Sequence, residues 1–236
     1  MSKPNGLQTL KKRIFDNAKT YLSEIEPERA SRFERYLKQT NNLEVATKQL
    51  QGITITPKLD KWQNLIVDIA ELEMQIIRVR NCLTMLKSES ITDVTLDQWV
   101  DYHYRYWMIL VDSMLSKAEQ LVKHAIRYNS VPATPIEKDT LIKEYLKELM
   151  ESKTAIKPLR GEVAHVGGSI QVLKKDGRVE KLIMVGGYDP ELLFNSTGEF
   201  QNKWHRQMTI MSVNQINMVF GLCERLCLTL DWNDIE

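Results

Sequence analysis

The sequence predicts an all-α fold, a bundle of long antiparallel helices carrying a small β-hairpin insert near residues 169–186. Three observations predict it. Apolar residues recur at steps of three and four over the long stretches 60–87 and 95–128, the spacing of one face of a helix. Pro27, Pro57, Pro132, Pro135, Pro158 and Pro190 all fall between periodic stretches, where a missing N–H and a bulky ring do no harm. Seven of the ten glycines gather between residues 158 and 198, so the one break in the helical pattern is local.

Residues 6–51 read as two amphipathic helices meeting near Pro27, with nine Lys or Arg before residue 40 against five acids. The ordinary explanation of that excess is a solvated face. The clearest helix covers 60–87, with Trp62, Leu65, Ile69, Leu72, Ile76, Val79, Leu83 and Leu86 in a single stripe. A coiled-coil seam has the same pattern; one long helix of an antiparallel bundle is the reading adopted. A second long helix covers about 95–128, opened by Thr95 and Asp97, which suit an N-terminal cap and the positive end of the helix dipole. Its stripe is Trp99, His103, Tyr106, Leu110, Met114, Ala118, Leu121 and Ala125. A third helix is expected over about 136–152, with Glu137 and Asp139 in its first turn and Leu141, Ile142, Tyr145, Leu146 and Leu149 inward. A last helix, about 200–230, is apolar on more than one face and is expected to be central. Between these two, SIQVLKKDGRVEKLIMV reads as two short strands around the turn Lys175-Asp176-Gly177. The expected organisation is one domain, 1–236, with an N-terminal helical extension over 1–56 and a core over 60–232 that carries the insert at 167–187.

Composition narrows the function. The chain has 236 residues, 43% hydrophobic, enough for one sizeable core. Net charge is only +1, so any nucleic-acid surface must be local. No apolar run is long enough for a membrane span, and the start MSKPNGLQTLKKRIF lacks the apolar segment of a secretory signal. Three cysteines, Cys82, Cys223 and Cys227, form no disulfide framework and fit small core residues. A reducing cytoplasmic location is the expectation that follows. No P-loop, dinucleotide fingerprint, nucleophile elbow or convincing carboxylate pair occurs.

The candidate site is KPLRGEVAHVGG, residues 157–168. Arg160 and His165 are five positions apart, with Lys157, Gly161 and Glu162 as neighbours expected to help bind substrate. Pro158 is expected to end one helix and start another, placing the motif at a helix N-terminus where free N–H groups attract phosphate. These residue types suit RNA cleavage. A neutral imidazole can take the proton of a ribose 2′-OH. The alkoxide then attacks the adjacent phosphorus, while a guanidinium forks onto the phosphate oxygens. The scheme uses no metal and no cofactor. Residues 151–181 hold seven Lys or Arg against four acids, which would guide a phosphate backbone or simply solvate a hairpin.

The R-x-x-x-x-H of Arg160 to His165, in an all-helical setting and late in the chain, resembles the defining motif of the HEPN superfamily. The long helix with Tyr102-His103-Tyr104-Arg105-Tyr106-Trp107 also resembles bacterial members. The resemblance covers about 95–232, and its specific part is two residues. It implies a helical bundle whose motif lies near the start of a late helix. It implies a homodimer in which two motifs make one composite site. It also implies a metal-independent endoribonuclease acting as a toxin or antiphage defence factor, with an antitoxin or defence-system partner. Gly161 stands where the family often has Asn, Asp or His after the arginine. Two other readings stay open: a non-catalytic module of the same kind that binds RNA, a nucleotide or a protein, and a helical scaffold. In the last, His165 is a core histidine and Arg160 pairs with Glu151 or Glu162. His103 fits a packed histidine, and most of Tyr102, Tyr104, Tyr106 and Trp107 fit core, with base stacking the sharper alternative.

Overall fold

A computed structural model of the chain describes residues 5–25, 57–88, 96–166 and 190–233, with the isolated positions 27, 31 and 235; side chains from 155 to 201 lie outside the described part. Among the described residues there are five helices: α1 (Gly6–Ile25), α2 (Pro57–Ser88), α3 (Leu96–Tyr128), α4 (Pro135–Val166) and α5 (Pro190–Thr229). The fold is all-α. The only β feature among these residues is an isolated antiparallel bridge, Asn129 with Ile235. The expected hairpin near 169–186 and the second N-terminal helix fall outside the described residues.

Three of the helices begin on a proline, the position where its lost N–H costs nothing and its fixed φ favours the helix. At α4 the start is reinforced by a capping box. The Glu137 amide donates to Thr134 Oγ1 at 3.3 Å, and the Thr134 amide donates to the Glu137 carboxylate at 3.1 Å. Asn5 caps α1 by accepting from the Gln8 amide at 3.0 Å.

The helices divide between two compact units. The first holds residues 1–74, 115–149 and 217–236. Its core is built from Leu10, Ile14, Leu65, Ile69, Leu72, Leu121, Ile126, Leu149 and Val219, all buried. Polar contacts give the directions of its helices. Asn64 reaches Tyr128, Asp68 reaches His124 and Glu71 reaches Lys117, so α2 and α3 are antiparallel. Tyr145 reaches Thr229 and Glu148 reaches Arg225, so α4 and α5 are antiparallel. α1 is antiparallel to α2, through Lys11 with Glu73 and Lys58 over the Tyr21 ring. It runs parallel to α5, since Gly6 lies against Phe220 and Arg13 donates to the Cys227 carbonyl. The tail folds back onto this unit. Trp232 is buried and donates to the Leu226 carbonyl at 3.2 Å, and buried Asn129 donates to the Asp231 carbonyl at 2.7 Å.

The second unit holds residues 75–114 and 150–216. Val79, Cys82, Leu86, Trp107, Met108, Val111, Met114, Met208 and Ile216 are buried in it. Trp107 Nε1 donates to the Ser212 hydroxyl at 2.8 Å, which satisfies two buried polar groups at once.

Several expectations need correction. The helix expected to end near 152 runs on to Val166, straight through Pro158. A proline inside a helix costs about 3 kcal/mol and one backbone hydrogen bond. No glycine or second proline stands between 136 and 157 to add to that cost. The last helix starts at Pro190, ten residues before the expected 200. It is not buried all round either, because Ile210, Met211, Val213 and Leu228 are exposed. Tyr106, placed on the inner stripe of α3 by spacing, is 41% exposed.

Candidate functional site

All five residues singled out by the motif, Lys157, Arg160, Gly161, Glu162 and His165, lie in the final turns of α4. Their backbone is helical, and their side chains are outside the described residues. This overturns the expected placement at a helix N-terminus. The free N–H groups of α4 are at its Pro135 end, more than twenty residues away. The motif instead occupies the end with free carbonyls, which favours Lys, Arg and His rather than an anion. The free amides of α4 therefore do not help to attract phosphate at this place. On a regular helix, positions 160 and 165 are separated by about 140° around the axis and about 7.5 Å along it. The backbone of one α4 does not by itself bring the pair onto one face.

The aromatic run on α3 divides by burial. Trp107 is core, and His103 is 5% exposed with its ring edge against Tyr102 at 5.1 Å. Tyr102 is 64% exposed and stacks on Tyr106, with ring centroids 6.5 Å apart and planes 12° apart. The two are one turn apart on the same helix face. They belong to the same compact unit as the motif residues. The side chain of Tyr104 is outside the described residues.

The three cysteines are buried and free. Burial pushes the Cys82 thiol up to about 11 and the Cys223 thiol up to about 12. Both are therefore thiols, not nucleophilic thiolates, at neutral pH. Among the described residues, no group of three or more His, Cys, Asp or Glu side chains is placed to hold a metal ion. No helix among them is long and apolar enough to cross a membrane.

Sequence reasoning missed one cluster, on α2 and α3. Asp68 is only 2% exposed, and its two carboxylate oxygens meet His124 Nδ1 at 2.6 Å and Gln120 Nε2 at 2.8 Å. Tyr128 lies nearly parallel to the imidazole, with centroids 5.1 Å and planes 15° apart. Burial raises the Asp68 carboxyl above its ordinary value, and the hydrogen bond from His124 opposes the rise. The available signal was a lone carboxylate inside the apolar run LIVDIA. Its partner lies 56 residues on, and no short-range pattern connects the two.

Compared with family models, with curated proteins and with solved structures, the chain matches none.

Proposed function

We propose that the chain is a metal-independent endoribonuclease that works as a homodimer through Arg160 and His165. The observation that carries this reading is the R-x-x-x-x-H pair in the closing turns of one long helix of an all-helical chain. The exposed Tyr102–Tyr106 ring pair, in the same compact unit, supplies the surface on which unpaired bases would stack. In this reading His165 takes the 2′-OH proton, and the resulting alkoxide attacks the neighbouring phosphorus. Arg160 stabilises the charge that builds on the phosphate oxygens. The 5′-oxygen leaves, and a 2′,3′-cyclic phosphate remains. The wide angular separation of the two positions on a regular helix is the reason for the second copy. Two motifs facing each other would offer an arginine from one and a histidine from the other. As a toxin or antiphage defence factor, such an enzyme would be held in check by a partner protein.

A specific observation favours a second reading, a non-catalytic module that binds RNA, a nucleotide or a protein through the same helix end. Gly161 supplies no polar group beside Arg160, and the motif lies far from the free N–H groups of α4.

Incubating a mixed RNA pool with the purified chain in EDTA separates the two. The catalytic reading expects cyclic-phosphate ends. His165→Ala and Arg160→Ala should each slow their appearance by about a hundredfold or more at unchanged helical circular dichroism. RNA retained on the protein but never cut would select the binding module.

A further inference from the structure

The Asp68–His124 pair is a second chemically equipped place, built by α2 and α3 within the first compact unit. Asp68 is buried, and both of its oxygens are engaged, one by His124 Nδ1 at 2.6 Å and one by Gln120 Nε2 at 2.8 Å. A carboxylate accepts and cannot donate, so Nδ1 carries the proton. The lone pair of the neutral ring is then on Nε2. Stacking against Tyr128, whose hydroxyl accepts from Asn64 Nδ2 at 3.4 Å, restrains the ring from turning. The His124 side chain keeps 28% of its surface accessible. The imidazole is thus held at Nδ1 and on one ring face, with part of the remaining side chain accessible, an arrangement that suits an oriented nucleophile or base.

Two further facts favour the nucleophile. Among the described residues no Ser, Thr or Cys side chain is bonded to His124, so the ring has no protein hydroxyl or thiol to activate. Three residues further along α3, Arg127 is exposed and makes no ion pair among the described residues. Positions three apart on a helix are neighbours, and a guanidinium is the side chain best shaped for phosphate oxygens. Lys123 is engaged by Glu119 and Lys117 by Glu71, both at 2.5 Å.

We propose that His124 is a phosphoryl-acceptor site, taking the group on Nε2 from an acyl phosphate. The Nε2 lone pair forms the new N–P bond. The P–O bond to the acyl group breaks, and the carboxylate leaves with its electron pair. No proton has to move. The ring becomes a phosphorylated imidazolium that keeps Nδ1–H, and its positive charge faces the Asp68 carboxylate. Arg127 balances the phosphoryl oxygens. An N–P bond is itself activated, and an acyl phosphate is a donor energetic enough for label to accumulate on the ring.

The test uses the full chain with acetyl phosphate as the probe, read by phosphorus NMR and by site-resolved mass spectrometry at neutral to alkaline pH, because phosphoimidazoles are acid-labile. The expected result is label on His124 at least about tenfold above His103, His165 or His205. Asp68→Asn should lower it about tenfold, the effect of losing a charge-assisted hydrogen bond. Arg127→Gln, a surface change that leaves the core alone, should lower it several-fold and keeps the proposal testable where Asp68→Asn disturbs folding. Absence of label in the wild type, label spread evenly over the histidines, or unchanged labelling in Arg127→Gln would overturn it.

Discussion

Two glycines make opposite demands at the residue scale. A Cβ on Gly6 would overlap the Phe220 carbonyl oxygen and come within 2.8 Å of the Glu224 backbone nitrogen, whereas a Cβ on Gly221 would meet nothing within 4 Å. Gly6 is therefore the close-approach point of α1 on α5, and Gly6→Ala should cost about 1–3 kcal/mol through forced displacement. Gly221→Ala should instead gain about 0.5–1 kcal/mol, since only the entropy of a helical glycine is removed. Urea denaturation of the two variants checks both signs. Asp68 gives a pH prediction. Burial raises its folded-state value above that of the unfolded chain. Its contribution to stability is then fully present below the unfolded carboxylate value and is lost as pH rises through the folded one. Asp68→Asn should flatten that part of the stability profile, and an unchanged slope just above the ordinary carboxylate range would refute the assignment. Neither Gly6 nor Asp68 announces its role in the sequence. A glycine near a helix start and a carboxylate in an apolar run acquire meaning only from the helix laid against them.

At the scale of elements, the helices were legible wherever the apolar spacing was strict. The stripe from Trp62 to Leu86 on α2 is buried at every position except half-buried Leu83. On α3 the same rule placed Leu110, Met114, Ala118, Leu121 and Ala125 correctly and misplaced Tyr106. Periodicity reports which residues share a face, but not how far along the helix a neighbour continues to cover it. Ends were less legible. Pro158 looked like a boundary and is interior to α4, while Pro135 and Pro190 are true starts. A proline marks a start only where the preceding backbone has no helical hydrogen bonds to lose. The start of α4 is a capping box, so Thr134→Ala should cost about 1 kcal/mol, seen as a lower denaturation midpoint. The Thr134 hydroxyl and amide hold the Glu137 carboxyl below its ordinary value, so this cap weakens as pH falls through the carboxylate range. The turn after α3 depends on Asn129, fully buried and bonded to both Asp231 and Val131. Asn129→Ala leaves those groups without partners and should cost about 1–3 kcal/mol, releasing the tail that carries Trp232; a red shift of the tryptophan fluorescence would report this.

For the whole molecule, the homodimer is the expectation that governs catalysis. Mixing Arg160→Ala with His165→Ala protein should restore part of the RNA cleavage that each lacks alone, because a hybrid pair retains one arginine and one histidine. Mixtures as inactive as their components would argue against a composite site. The native chain should also react slowly with thiol reagents, since all three cysteines are buried, and unfolding should release three fast-reacting thiols. The sequence by itself determined the all-α class, the positions of α2 and α3, their inward stripes and the cysteines' place in the core. All of these follow from local periodicity and composition, which every segment carries within itself. Only the tertiary structure decided that α4 carries Arg160 and His165 to its carbonyl end, that α1 lies parallel to α5, and that Asp68 grips His124. Those depend on the register of one helix against another and on how far each runs. Register is set by packing between residues distant in the chain, and no window of the sequence contains both sides of it.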